Sequence, residues 1–141
     1  MFELSLLLRV MLAMFLGGVL GWQRHQRGRW AGVRTYALVS GGSALFTILS
    51  LVSFGSDTAR VAAGVVTGIG FLGAGTILHK ADRVEGLTTA AGLWMVAAVG
   101  MAVGLQLYIL ASASSLLALL VFIFDYKKIG LKRNDDNSED N

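Results

Sequence analysis

The sequence predicts an all-α integral membrane protein: a compact bundle of five transmembrane helices, N-terminus out and C-terminus in. Three observations predict it. Residues 86–124 form a run of 39 without one charge, about twice the ~20 residues that one helix needs to cross a hydrocarbon core. Such a run reads as two spans joined by a tight turn. The chain is 55% hydrophobic and only 15% charged, where a soluble domain carries about 25% charge. The basic residues, finally, are segregated: ten of the twelve Lys and Arg fall in alternate loops and the tail.

Each element follows from these patterns. The first span, 4–22, is apolar apart from Ser5 and Arg9. Its core has signal-peptide length, but Trp22-Gln23-Arg24 and three further arginines follow at once. Such a block resists translocation, so the segment is expected to remain as a span. The second span, 35–54, lies in an uncharged stretch of 22 residues, and the third, 61–78, is uncharged throughout. The long final run divides at Gly104-Leu105-Gln106, where a helix-poor residue meets a polar amide. That gives spans at 87–103 and 107–124.

Loop charge sets the orientation. Arg24, Arg27, Arg29 and Arg34 flank the first connection, Lys80 and Arg83 occupy the third, and Lys127, Lys128, Lys132 and Arg133 lie in the tail. Arg60 alone falls on the opposite side, with Arg9 inside the first span. The basic side should be cytoplasmic, and an even number of spans would scramble the segregation. Residues 1–126 are read as the transmembrane domain. Residues 127–141 are read as a basic, then acidic, disordered cytoplasmic tail.

Composition also excludes. With no cysteine there is no disulfide, thiolate metal site or Cys nucleophile. With no proline, any break in a span must come from glycine. No Ser–His–Asp set and no paired carboxylates suggest an enzyme. His25 and His79 lack a nearby third ligand, so no metal or cofactor is expected, and no nucleic-acid partner. No carboxylate lies inside a span, which argues against a proton-coupled pump or a magnesium site within the bilayer.

The 18 glycines carry the packing argument, because small residues let helices approach closely in lipid. Ala13, Gly17 and Gly21 recur every four residues, and Ala90, Ala97, Gly100 and Gly104 share a side of the fourth span. Gly64, Gly68 and Gly75 share one face of the third span, with Gly70 and Gly73 roughly opposite. A helix small on two faces is expected to sit centrally. Four glycines in residues 68–75 also allow a partly unwound, site-forming segment, as in the broken helices of transporters. The same stretch matches G-x-G-x-x-G, but no strand precedes it, so a dinucleotide site is rejected. Arg9 either snorkels to the headgroups or pairs inward with a carbonyl or with Asp57.

Three blocks are distinctive together. The first is Gly21-Trp22-Gln23-Arg24-His25-Gln26-Arg27 leading into Ala31-Gly32-Val33-Arg34-Thr35. The second is Gly68-Ile69-Gly70-Phe71-Leu72-Gly73-Ala74-Gly75-Thr76-Ile77. The third is Gly86-Leu87-Thr88-Thr89-Ala90-Ala91-Gly92-Leu93-Trp94. In this order they closely resemble the transmembrane domain of the MgtC/SapB family of bacterial inner-membrane proteins, in its short, SapB-like form. The resemblance implies five helices with a cytoplasmic C-terminus. It also implies links to magnesium limitation, acid stress and survival inside host cells, and it makes the F-type ATP synthase a candidate partner.

The functional candidates it marks are Gln23, Arg24, Arg27, Gly32, Arg34, Thr35, Gly68, Gly70, Phe71, Gly73, Gly75, Glu85, Gly86, Thr88 and Thr89. Gln23 stands where the family has glutamate, and Glu85 where a basic residue is common. If those family residues pair, Gln23 and Glu85 are a compensating exchange, which requires them to be close.

The expected function is that of a non-enzymatic membrane regulator. It would dock its glycine faces and basic cytoplasmic end against a membrane-protein partner, or against a second copy of itself. The alternative is a small oligomeric transporter of magnesium or another ion through residues 68–75. A lipid-binding role for the arginine cluster is a third reading.

Overall fold

The computed structural model describes residues 1–53 and 58–124. Five helices follow in order: α1 (Phe2–Gln26), α2 (Val33–Ser53), α3 (Thr58–Ala74), α4 (Leu87–Gly104) and α5 (Tyr108–Ile123). Each expected span has its helix. Asp57 and the tail lie outside the described residues.

Three helices, α1, α2 and α4, are long and apolar enough to cross a membrane, and α3 and α5 are shorter apolar helices of 17 and 16 residues. The outward faces carry large apolar side chains such as Ile109, 88% exposed, and Phe71, 83% exposed. Contiguous exposure on that scale suits lipid rather than water.

Helix ends follow local chemistry. α1 stops at a Schellman motif: Gly28 takes the left-handed conformation at φ 64°, and the Arg29 and Gly28 amides return to the Arg24 and His25 carbonyls. The α4–α5 turn repeats this pattern. The Leu107 and Gln106 amides return to the Ala102 and Val103 carbonyls, and Gln106 sits at φ 65° where glycine is usual.

The third connection departs from the all-α expectation. α3 ends at Ala74, four residues before the expected boundary, and the freed chain forms an antiparallel ribbon of β1 (Leu78–His79) and β2 (Val84–Glu85). Gly75, which costs a helix about 1 kcal/mol relative to alanine, starts the turn. Glu85 closes the ribbon by pairing with Lys80 at 3.0 Å and Arg83 at 2.8 Å.

The central element is α4, which packs against α1, α2, α3 and α5. This corrects the expectation that α3 sits centrally. Small residues build the contacts, but on the other helices. A Cβ at Gly17 would lie 2.7 Å from the Ser40 Cβ, one at Gly21 2.8 Å from the Gly32 carbonyl oxygen, and one at Gly104 2.8 Å from the Thr47 Cβ. One at Gly100 would strike the Ser40 carbonyl. By contrast, Cβ atoms at Gly64, Gly68 and Gly70 would meet nothing within 4 Å. Only Ile69 and Gly73 of α3 are buried, Gly73 facing Ala90. The helix is continuous through Gly68, Gly70 and Gly73, so the unwound-segment expectation is also corrected.

Candidate functional site

The alternating helices bring the C-terminal ends of α1 and α5 beside the N-terminal end of α4. Gln23, in the last turns of α1, donates from Nε2 to the Phe122 carbonyl at 2.9 Å, and Arg27 donates from Nη2 to the Ile123 carbonyl at 3.1 Å. Both bonds satisfy carbonyls that the end of α5 leaves without helical partners.

Between them Arg24 turns inward and is buried, only 3% exposed. Its Nη2 donates to Thr89 Oγ1 at 2.9 Å, and its guanidinium carbon lies 4.8 Å from the centroid of the Phe122 ring. That is the geometry of a cation–π contact. Tyr36 meets Phe122 edge-on, with ring centroids 6.4 Å apart at 79°. It also directs its hydroxyl toward the Thr89 carbonyl at 3.5 Å. The buried Nε of Arg24 has no hydrogen-bond partner, and among the described residues no carboxylate pairs with this cation.

A cavity of about 460 Å³ opens beside Arg24, walled by Arg29, Trp30, Glu85, Thr88 and Thr89. Gly86 forms its turn. It caps α4 at φ 92°, and a Cβ there would collide with the Thr76 carbonyl. Glycine is required on both counts. Lys80 and Arg83 hold the half-buried Glu85 carboxyl below the usual glutamate range, the hydrogen bond from Lys80 being the larger cause.

Of the sequence candidates, Gln23, Arg24, Arg27, Glu85, Gly86, Thr88 and Thr89 gather at this end. Gly32 lies beside them, supporting the α1–α2 approach at Gly21. Arg34 and Thr35 sit exposed on the first turn of α2. Gly68, Gly70, Phe71 and Gly73 belong to α3 and Gly75 to the turn after it, none of them lining this cavity. The compensating exchange gets no support: Gln23 binds Phe122 while Glu85 binds Lys80 and Arg83.

Sequence reasoning missed Tyr36 and Phe122. An aromatic residue in an apolar helix carries no mark of the cation above it. At the opposite end Arg9 stands against the Gln106 carboxamide, which, oriented with its oxygen toward the guanidinium, accepts from both terminal nitrogens at 2.9 and 3.0 Å. The partner is a side-chain amide of the end turn, not the carbonyl or Asp57 that the inward reading named.

A second concavity, about 550 Å³, runs between α2 and α3. Its walls are apolar, among them Leu38, Phe46, Val61 and Leu72, and Gly42, Gly64 and Gly68 form its floor.

A helical bundle with apolar outer faces and three helices able to cross a bilayer is the architecture of a membrane protein. The MgtC family profile matches residues 10–128, and the chain belongs to that family. YhiD of Escherichia coli strain K12 is 44% identical over 124 residues, covering 82% of this chain and 58% of its own length. MgtC of Salmonella typhimurium strain LT2 is 42% identical over 113 residues, covering 80% of this chain and 49% of its own. SrpB of Synechococcus elongatus is 41% identical over 132 residues, covering 83% and 72%. The chain thus spans about half to three-fifths of the length of YhiD and MgtC. No solved structure matches it at a significant level.

Proposed function

We propose that this chain is a non-enzymatic regulator in the bacterial inner membrane, acting by docking against a transmembrane helix of a partner protein. In this reading all five helices span, with the N-terminus outside and the basic end in the cytoplasm, as the loop charges favour. The short α3 and α5 cross with modest local thinning of the bilayer.

The observation that carries the docking reading is the open α2–α3 groove. Gly42, Gly64 and Gly68 leave its floor bare, with nothing within 4 Å of a Cβ at any of them. Gly17, Gly21, Gly100 and Gly104, by contrast, are covered by a neighbouring helix. Close approach over small residues is what helix association in lipid needs, since apolar surface alone gives no drive there. The F-type ATP synthase is the candidate partner that the family resemblance supplies.

The test is co-purification of that complex with the tagged chain from membranes. Gly68→Leu fills the groove without touching the rest of the fold and should abolish capture. Leu117→Ala, on the outward face of α5, should not. Capture unaffected by Gly68→Leu would count against docking in the groove.

The second reading is transport, because YhiD of strain K12 is named, provisionally, as a magnesium transporter. Continuous α3 and the apolar groove beside it offer no hydrated path. Magnesium flux into proteoliposomes, abolished by Gly70→Leu, would establish transport in place of regulation.

A further inference from the structure

The cavity at the basic end of the bundle shares no residue with the α2–α3 groove. Its chemistry is different. Arg24 is a permanent cation, buried to 3% exposure and held by a neutral hydroxyl and a ring face. A buried charge is normally neutralised by a partner, because desolvation is costly. Here one of its donors, Nε, is buried without an acceptor.

The second set of donors comes from α4. A helix leaves its first N–H groups without internal partners, and their dipoles favour negative charge. The N-terminus of α4 has no side-chain cap: Gly86 occupies the capping position and offers no oxygen. Gly86, Leu87, Thr88 and Thr89 all line the cavity, so the uncapped turn and the buried guanidinium face the same space. Arg29 adds a second cation at the wall and Trp30 an apolar one. Glu85 is the single acidic lining residue. Its charge is met by Lys80 and Arg83 at 3.0 and 2.8 Å.

The geometry points to a binding site for a phosphate-type oxyanion, held between Arg24 and the first turn of α4, with Arg29 at the mouth. Arginine donates to phosphate through a planar fork, and a helix N-terminus supplies amides directed at the same oxygens. The volume, about 460 Å³, lies in the range of small-molecule sites and exceeds what a bare phosphate fills. Room therefore remains for the ester group that the phosphate carries. That group belongs either to an anionic lipid entering from the bilayer surface or to a soluble phosphate ester.

Two probes distinguish the sources. Detergent-purified protein is titrated with inorganic phosphate by calorimetry, and with phosphatidylglycerol by native mass spectrometry. Thr88→Glu is the decisive variant. Thr88 is exposed on the first turn of α4, where a carboxylate suits the helix but fills the site with negative charge. It should retain wild-type helicity and melting temperature while weakening binding by roughly tenfold or more. Arg24→Gln should act in the same direction, and Arg60→Gln, at the start of α3, should bind as wild type does. Binding of phosphatidylglycerol alone makes the ligand a lipid headgroup, and binding of inorganic phosphate makes it accessible to soluble esters. Failure of both probes to bind, or binding unchanged in folded Thr88→Glu, overturns the site.

Discussion

Arg24 reaches from the last turn of α1 to the first turn of α4, where its Nη2 donates to Thr89 Oγ1 at 2.9 Å. This bond ties the terminal turn of one helix to the uncapped turn of the central one. A hydrogen bond to a charged group contributes about 1.5–3 kcal/mol, and leaving a buried donor unmatched costs a similar amount. Thr89→Val keeps the shape and removes the acceptor. It should lower stability by about 2 kcal/mol in detergent, read as a lower melting temperature, whereas Thr89→Ser should stay close to wild type. Equal stability of the valine and serine variants would show that the bond contributes nothing.

The glycines divide into two groups with opposite expected responses. At Gly100 any side chain runs into the Ser40 carbonyl, and backbone cannot swing aside as a rotamer can. Overpacking of this kind costs about 1–3 kcal/mol, or more against backbone. Gly100→Val should therefore unfold the protein or drop its melting temperature sharply. Gly64→Val, with open space at the Cβ, should leave the monomer unchanged. It should even gain slightly from reduced unfolded-state freedom. Similar melting temperatures for the two variants would mean that α2 and α4 do not meet at Gly100.

Much of this fold was legible in the sequence because lipid imposes simple rules. The uncharged runs located every helix, and Ala13, Gly17 and Gly21 marked the face that α1 buries. The third segment misled. Its glycines satisfy the same small-residue pattern as those of α4, but pattern reports only that close approach is permitted. Whether a neighbour comes is decided by the other helices, and α4 has the better match on four sides. The ribbon was hidden for a different reason: two residues per strand are too few to show alternation, and its closure depends on Glu85 meeting Lys80 and Arg83. At the basic end, Arg24 was visible as one arginine among several in the first connection. Its burial was not, because that depends on Phe122, which lies 98 residues further along the chain.

The ribbon gives a prediction in pH. Lys80 and Arg83 lower the pKa of Glu85 in the folded protein. A depressed carboxyl contributes stability above its unfolded pKa and loses it as pH falls through the folded one. The ribbon should thus be closed at neutral pH and loosen below the ordinary glutamate range. Exposed pairs of this kind are weak and screened by salt, so added salt should loosen it as well. Amide chemical shifts of Lys80 and Arg83 in micelles would follow both effects, and Glu85→Gln should remove them. Shifts that ignore pH and salt would mean that the backbone alone closes the ribbon.

Gln106 occupies a left-handed position, φ 65°, that normally belongs to glycine. A non-glycine residue there costs about 1 kcal/mol or more, and its carboxamide oxygen accepts from both terminal nitrogens of Arg9. The two effects oppose each other, and two substitutions separate them. Gln106→Ala keeps the strain and deserts Arg9, so it should be the less stable variant. Gln106→Gly deserts Arg9 but relieves the strain, which should return about 1 kcal/mol. Wild type should exceed alanine by the value of a hydrogen bond to a charged group, about 1.5–3 kcal/mol, and glycine should fall between them. If alanine instead matches wild type, Arg9 draws no stability from the turn and is satisfied by headgroups at the membrane surface.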